Sequence, residues 1–180
     1  MSITGQETVL HSFTGTDGED PEGELLAVNG TFYGTTYLGG SNGDGKESIA
    51  YDLGNGTDGK DPDLFTLTPF DGRLYGTTAL GGPHGQGVVF VIFPGGVART
   101  MYNVGDHLTD GKSQAAGVVA YRNALYGTSF AGGAGGQGTI YRVSKGGGET
   151  VLYAFTGNDG GGSLSRLVGQ DCVPIHTVVQ

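Results

Sequence analysis

Three blocks of this chain are written in one register. Tyr33-Gly34-Thr35-Thr36 recurs as Tyr75-Gly76-Thr77-Thr78 and as Tyr126-Gly127-Thr128-Ser129. A glycine pair follows each block, Gly39-Gly40, Gly81-Gly82 and Gly132-Gly133. Each pair leads to a Gly-x-Gly, at Gly43/Gly45, Gly85/Gly87 and Gly136/Gly138. All three features advance by the same steps, 42 and then 51 residues, which chance does not produce. A second marker, Asp-Gly, stands at Asp17, Asp58, Asp110 and Asp159, separated by 41, 52 and 49 residues. The units average about 45 residues, the length of one four-stranded propeller blade. The pattern predicts one repeat-built domain over 1–180, with units near 17–57, 58–109, 110–158 and 159–180, the last completed by 1–16.

Within a unit the signal is β. Gly87–Phe93, Thr139–Val143 and Thr150–Phe155 are rich in β-branched and aromatic residues and bounded by glycine-rich turns. Asn29-Gly30, between Leu25–Val28 and Thr31–Tyr33, and Asp71-Gly72, before Arg73-Leu74-Tyr75, are two-residue hairpin signals. No window keeps a 3.6-residue period. The unit from Gly34 to Gly59 offers only one strand-like run, Glu47 to Leu53, so one strand is expected to be missing there. The 38 glycines among 180 residues argue the same way. Each glycine inside a helix costs roughly 1 kcal/mol relative to Ala, and no triplet period suggests collagen. The expected fold is all-β, a propeller-like array of four antiparallel blades.

The ends of the chain complement each other. Glu7–Gly15 closely matches Glu149–Gly157, the outer strand of the third unit. Ser163–Gln180 matches only the first half of a unit. The segment Thr8-Val9-Leu10-His11-Ser12-Phe13 is therefore expected to complete a blade begun by Leu167, Val168, Val173, Ile175, Thr177 and Val178. It closes its own ring, or it enters the unit of a neighbouring copy. Either event satisfies an open strand edge, and head-to-tail exchange that does not close gives filaments.

The repeat resembles the GloVer-type tandem repeat of bacterial surface and secreted proteins. That repeat reads roughly VLxxF-x-G-x-DG-x-xP, a strand, then LYGTT-x-x-GG-x-x-G-x-G-T-V-F. Val9-Leu10-His11-Ser12-Phe13 with Asp17-Gly18 and Pro21 fits it. Leu74–Thr78 with Gly81, Gly82 and Gly87-Val88-Val89-Phe90 fits as well, as does Leu125–Thr128 with Gly138-Thr139-Ile140-Tyr141. The pattern fails at Lys46-Glu47-Ser48 and at Cys172–Val179. The resemblance implies an exported bacterial protein with a propeller-like fold. It implies no activity and no catalytic residues.

Chemistry-bearing motifs are sparse. Gly39-Gly40-Ser41-Asn42-Gly43 has the letters of a nucleophile elbow but lacks the strand-to-helix context. Gly40–Lys46 begins like a phosphate-binding loop, yet Glu47 stands where Ser or Thr would hold magnesium. His11, His84, His107 and His176 show no ligand spacing, and Cys172 has no second cysteine. The acidic turns are more suggestive. Asp17, Asp20, Asp58 and Asp61 are candidate Ca²⁺ ligands because oxygen-rich loops suit that ion, although Asp-Gly is also a common turn. Tyr33, Tyr75 and Tyr126 either pack blade on blade or form an aromatic set for sugars. A net charge of −9 with only 9 scattered Lys and Arg excludes phosphate-backbone binding, hence nucleic acid. No apolar run is long enough to span a membrane.

The expectation is a non-enzymatic structural protein, extracellular or on the cell surface, with no leader in this sequence. Its expected partner is itself, as a homopolymer. The alternative is a lectin-like module that binds glycans, and an enzyme with a central-channel site ranks below both.

Overall fold

A two-residue reversal, an antiparallel partner and a long glycine-rich return set up each sheet. The protein is represented by a computed structural model that describes residues 9, 11–28, 30–40, 46–47, 51–52, 58–62, 67–164 and 166–168. Every described element is a strand, and the sheets are antiparallel. In the first unit β1 (Leu26–Val28) and β2 (Thr31–Tyr33) form a hairpin with Val28 opposite Thr31. Beside it lie β3 (Thr35–Thr36), β4 (Lys46–Glu47) and β5 (Tyr51–Asp52), paired in that order. The Glu47–Leu53 run is thus two strands rather than one. Glu47 faces Tyr51 across a ladder, so the strand-like run reverses and the expected deficit is filled.

The second unit is a full blade. Its first strand position is shared by β6 (Gly59–Pro62) and β7 (Thr68–Phe70), both paired to β8 (Arg73–Gly81). Then come β9 (Val88–Ile92) and β10 (Ala98–Asn103). The Asp71-Gly72 turn has φ of 52° and 70°. Positive φ at both central residues is what a tight type I′ hairpin requires. The third unit repeats the plan as β11 (Gly111–Tyr121), β12 (Ala124–Gly132), β13 (Thr139–Ser144) and β14 (Glu149–Ala154). Register repeats too: Gly59 opposes Gly81, and Gly111 opposes Gly132. At these two turns the Asp-Gly is therefore hydrogen-bonded to the glycine pair that ends the second strand, through Gly82 N–H to Asp58 O at 2.9 Å and Gly133 N–H to Asp110 O at 2.8 Å.

The core lies in the seams between sheets. β9 is buried along its whole length. Its even positions, Val88, Phe90 and Ile92, join Leu67 and Leu74 against Leu26, Val28 and Tyr33 of the first unit. Its odd positions, Val89 and Val91, join Tyr75, Tyr102 and Val104 against Val118, Leu125, Tyr141 and Val143 of the third. Burying each such aliphatic or aromatic side chain contributes roughly 1.5–3 kcal/mol, so the seams hold this fold together. Sheets stacked face to face by consecutive units make the architecture propeller-like.

The repeated motif serves this packing. Gly76 lies opposite Phe90 on β9, and Gly127 lies opposite Tyr141 on β13. A Cβ on Gly76 would stand 2.8 and 2.9 Å from the ring edge of Phe90, so the aromatic ring covers bare backbone. The last hydroxyl of the motif is also spoken for. Thr78 Oγ1 donates to Leu80 O at 2.9 Å and accepts from Val88 N–H at 3.1 Å. Ser129 Oγ makes the same pair of contacts, to Ala131 O at 3.1 Å and from Thr139 N–H at 2.9 Å. These hydroxyls satisfy buried backbone where the strands splay around Gly87 and Gly138.

The fourth unit touches the others through Arg166. Its Nη2 donates to Thr68 Oγ1 at 2.9 Å and to Val118 O at 3.3 Å, on the first strands of the second and third blades. Thr68 Oγ1 itself donates to Val118 O. One guanidinium thus ties three units at one point. No described helix is long and apolar enough to cross a membrane.

Candidate functional site

The acidic turns form one local structure, used three times. In the first, Thr14 N–H and Thr14 Oγ1 donate to Asp17 Oδ1 at 2.7 and 2.8 Å, while His11 Nε2 meets Asp17 Oδ2 at 2.9 Å. In the third unit, Thr156 N–H and Oγ1 donate to Asp159 Oδ1 at 2.8 and 2.9 Å, and the Tyr153 hydroxyl donates to Asp159 Oδ2. The ring contacts match as well: His11 stands edge-on to Phe13 at 4.8 Å, and Tyr153 stands edge-on to Phe155 at 5.1 Å. Gly15 bridges Gly18 as Gly157 bridges Gly160. Backbone and hydroxyl donation from Thr14 holds Asp17 down at about 2, and the Tyr153 hydroxyl with Thr156 does the same for Asp159. The two carboxylates are therefore occupied by their own turns.

The second blade carries a longer, buried version. Eight residues separate Tyr102 from Asp110, where six separate His11 from Asp17 and Tyr153 from Asp159. Asp110 is only 4% exposed. Its Oδ2 accepts from the Tyr102 hydroxyl and from Gly105 and His107 N–H, both at 3.0 Å. Burial and the adjacent Asp110 raise the Tyr102 hydroxyl far above its ordinary range.

Beside this turn a cleft of about 460 Å³ opens between the second and third blades. Thr100, Asn103, Asp106, His107 and Glu149 line it, with Pro83 and Met101. His84 Nε2 holds Asp106 Oδ1 at 2.9 Å. Burial first, then the Asp110 charge, push the Glu149 carboxyl from its ordinary 4.5 up to about 7. A raised acid is protonated more readily in the folded state. Its stabilising contribution is complete below pH 4.5 and is lost as pH rises through about 7. Glu149→Gln is therefore expected to match the parent near pH 4.5 and to exceed it in stability at pH 8. Urea midpoints at the two pH values check this, and an equal difference at both would contradict the assignment.

A family model described as the Gloeobacter/Verrucomicrobia repeat matches residues 1–178. The chain belongs to this repeat family. No curated protein and no solved structure matches it. The Gloeobacter/Verrucomicrobia repeat is bacterial, and in this chain its Tyr-Gly-Thr block sits where blades pack. Tyr75 is 2% exposed in the seam with the third blade and Tyr33 packs against the seam before it, whereas Tyr126 is half-buried and meets Tyr121 of its own sheet at 6.2 Å. Gly34, Thr35 and Thr36 follow Tyr33, and the two Thr side chains are buried; Thr77, Thr78, Thr128 and Ser129 are buried in the same way.

The other candidates are scattered. Asp17 and Asp20 lie at the first turn, with φ of 51° at Asp20, and Asp58 and Asp61 lie at the second. Among the described residues no group of three or more His, Cys, Asp and Glu could hold a metal ion. Val9 is 70% and Phe13 43% exposed; His11 and Ser12 are exposed, Leu167 is half-buried and Val168 is 76% exposed. Thr8, Leu10, Val173, Ile175, Thr177 and Val178 lie outside the described residues, as do Cys172 and His176. Sequence reasoning missed the cleft residues Asn103, Asp106 and Glu149, and weighed His107 only as a metal ligand. The available signal was the 52-residue step between Asp58 and Asp110, which records the lengthened turn.

Proposed function

We propose that this repeat protein is a non-enzymatic structural component of the bacterial exterior that associates head-to-tail, one copy lending an outer strand to the next. The observation that carries this reading is the duplicate turn. Residues 11–18 reproduce the bonds and ring contacts of residues 153–160, where an outer strand leaves one blade and enters the following unit. The segment before Asp17 is thus shaped as the exit of a blade, and its sequence is that of an outer strand. Exposed apolar side chains lie on every unit, among them Leu25 and Phe32 on the first, Leu80 and Val97 on the second and Phe130 and Leu152 on the third, and exposed apolar surface invites another copy. Strand addition supplies backbone hydrogen bonds, and a contact between unlike surfaces propagates.

Light scattering across a concentration series tests this. The full chain is expected to form species larger than one copy, and a chain starting at Gly15 is expected to remain a single copy. A full chain that stays monomeric at every concentration would sink the proposal, as would a shortened chain of unchanged size.

A further inference from the structure

We infer that the cleft between the second and third blades binds a neutral, hydroxyl-rich ligand of saccharide class. The inference does not depend on self-association. At about 460 Å³ the cleft has the size of a small-molecule site, roughly 300–1,000 Å³. Four pieces of chain converge on it: β10 brings Thr100 and Asn103, the following loop brings Asp106 and His107, the turn into β14 brings Glu149, and the loop between β8 and β9 brings Pro83.

Its wall is where the second unit departs from the repeat. The turn that takes six residues elsewhere takes eight here, and the added length carries Asp106 and His107 into the cleft. In repeat proteins, insertions in single units gather on one face, often the binding face. The lengthened loop is also held firmly. Buried Asp110 fastens Gly105 and His107 by their N–H groups, and His84 fastens Asp106. A wall already ordered loses little freedom when a ligand arrives.

The chemistry selects the class. A sugar hydroxyl donates and accepts at once, so its site needs both functions side by side. Asp106 accepts. The Asn103 amide and the Thr100 hydroxyl do both. The Glu149 carboxyl lines the cleft and does both when protonated. Pro83 and Met101 offer apolar contact for a ring face. No Lys or Arg lines the cleft, and Asp110 stands close behind it, so phosphorylated or acidic sugars are disfavoured.

The test is a titration of isotope-labelled full chain at pH 6 with neutral mono- and disaccharides, an acidic sugar and an alkylammonium salt. Saturable shifts confined to Asn103, Asp106, His107 and Glu149 are expected with a neutral sugar and not with the acidic one. Asn103→Ala and Asp106→Ala are each expected to weaken binding about tenfold, roughly 1.4 kcal/mol. Deleting His107 and Leu108, which shortens the turn to six residues, is expected to abolish binding. Should that deletion unfold the chain, the two side-chain variants decide. Absence of saturable shifts with every neutral sugar overturns the inference. So does binding that both substitutions leave unchanged, or an alkylammonium that binds where sugars do not.

Discussion

Replacing Asp110 by Ala is expected to lower the unfolding free energy by about 3 kcal/mol, the largest loss from any one polar side chain in the second blade. The carboxylate is 4% exposed and its Oδ2 receives three donors. Truncation strands each of them, and a buried donor left without a partner costs roughly 1–3 kcal/mol. The Tyr102 hydroxyl suffers most, because Tyr102 is 7% exposed within the seam core and Asp110 is its hydrogen-bond acceptor. The amides of Gly105 and His107 lie nearer the surface and recover part of their loss in solvent. Denaturant midpoints measure the effect. Because the tyrosine and the aspartate share one bond, Tyr102→Phe with Asp110→Ala is expected to lose less than the two single changes together. A loss below about 1 kcal/mol would mean that desolvating the carboxylate cancels its hydrogen bonds.

Gly76→Ala is expected to lose about 1–3 kcal/mol, although it adds a single methyl group to a strand. The backbone there is ordinary β, so the penalty is steric. The new Cβ would press on the ring of Phe90, which is 3% exposed and packed by Leu74, Val88 and Ile92. A ring so enclosed has nowhere to retreat. Shrinking the ring restores the space, so Phe90→Leu in the Gly76→Ala background is expected to be milder than Phe90→Leu alone. Gly127→Ala against Tyr141 repeats the experiment in the third blade. Additivity at both sites would show that the contact is looser than the geometry implies.

Much of this fold was legible in the sequence, for a definite reason. The continuous β-branched and aromatic run Val88–Ile92, the Asp71-Gly72 turn and the spacing of the glycine pairs are local features, and local geometry follows from them directly. The blade that read worst was the first. Glu47–Leu53 looks like one strand because the sequence between Glu47 and Tyr51 carries no glycine or proline, yet the two pair across a ladder. The cleft was hidden for a different reason. Glu149 and Tyr102 are 47 residues apart, and only the stacking of two blades brings both to one wall. Their individual letters are common strand and turn residues. What the sequence did hold was the irregular step before Asp110, a departure from a period visible only once the period is known. The acidic turns show the converse. Asp17 reads as either a Ca²⁺ ligand or a turn residue, and both it and Asp159 accept from the backbone N–H of a threonine three residues earlier, as turn residues do.

The burial of β9 on both faces has a consequence for how such a chain changes over generations. Val88, Phe90 and Ile92 meet one neighbour, and Val89 and Val91 meet the other. Five consecutive residues therefore carry two separate agreements, interleaved letter by letter. A substitution at an even position asks for an answering change in the first unit alone, and one at an odd position asks for it in the third alone. The two seams can drift independently although they share a strand. Transplanting that strand by itself would break both, whereas copying a complete unit carries both halves of its agreements along. Such a chain can lengthen or shorten by whole repeats more easily than it can exchange its parts.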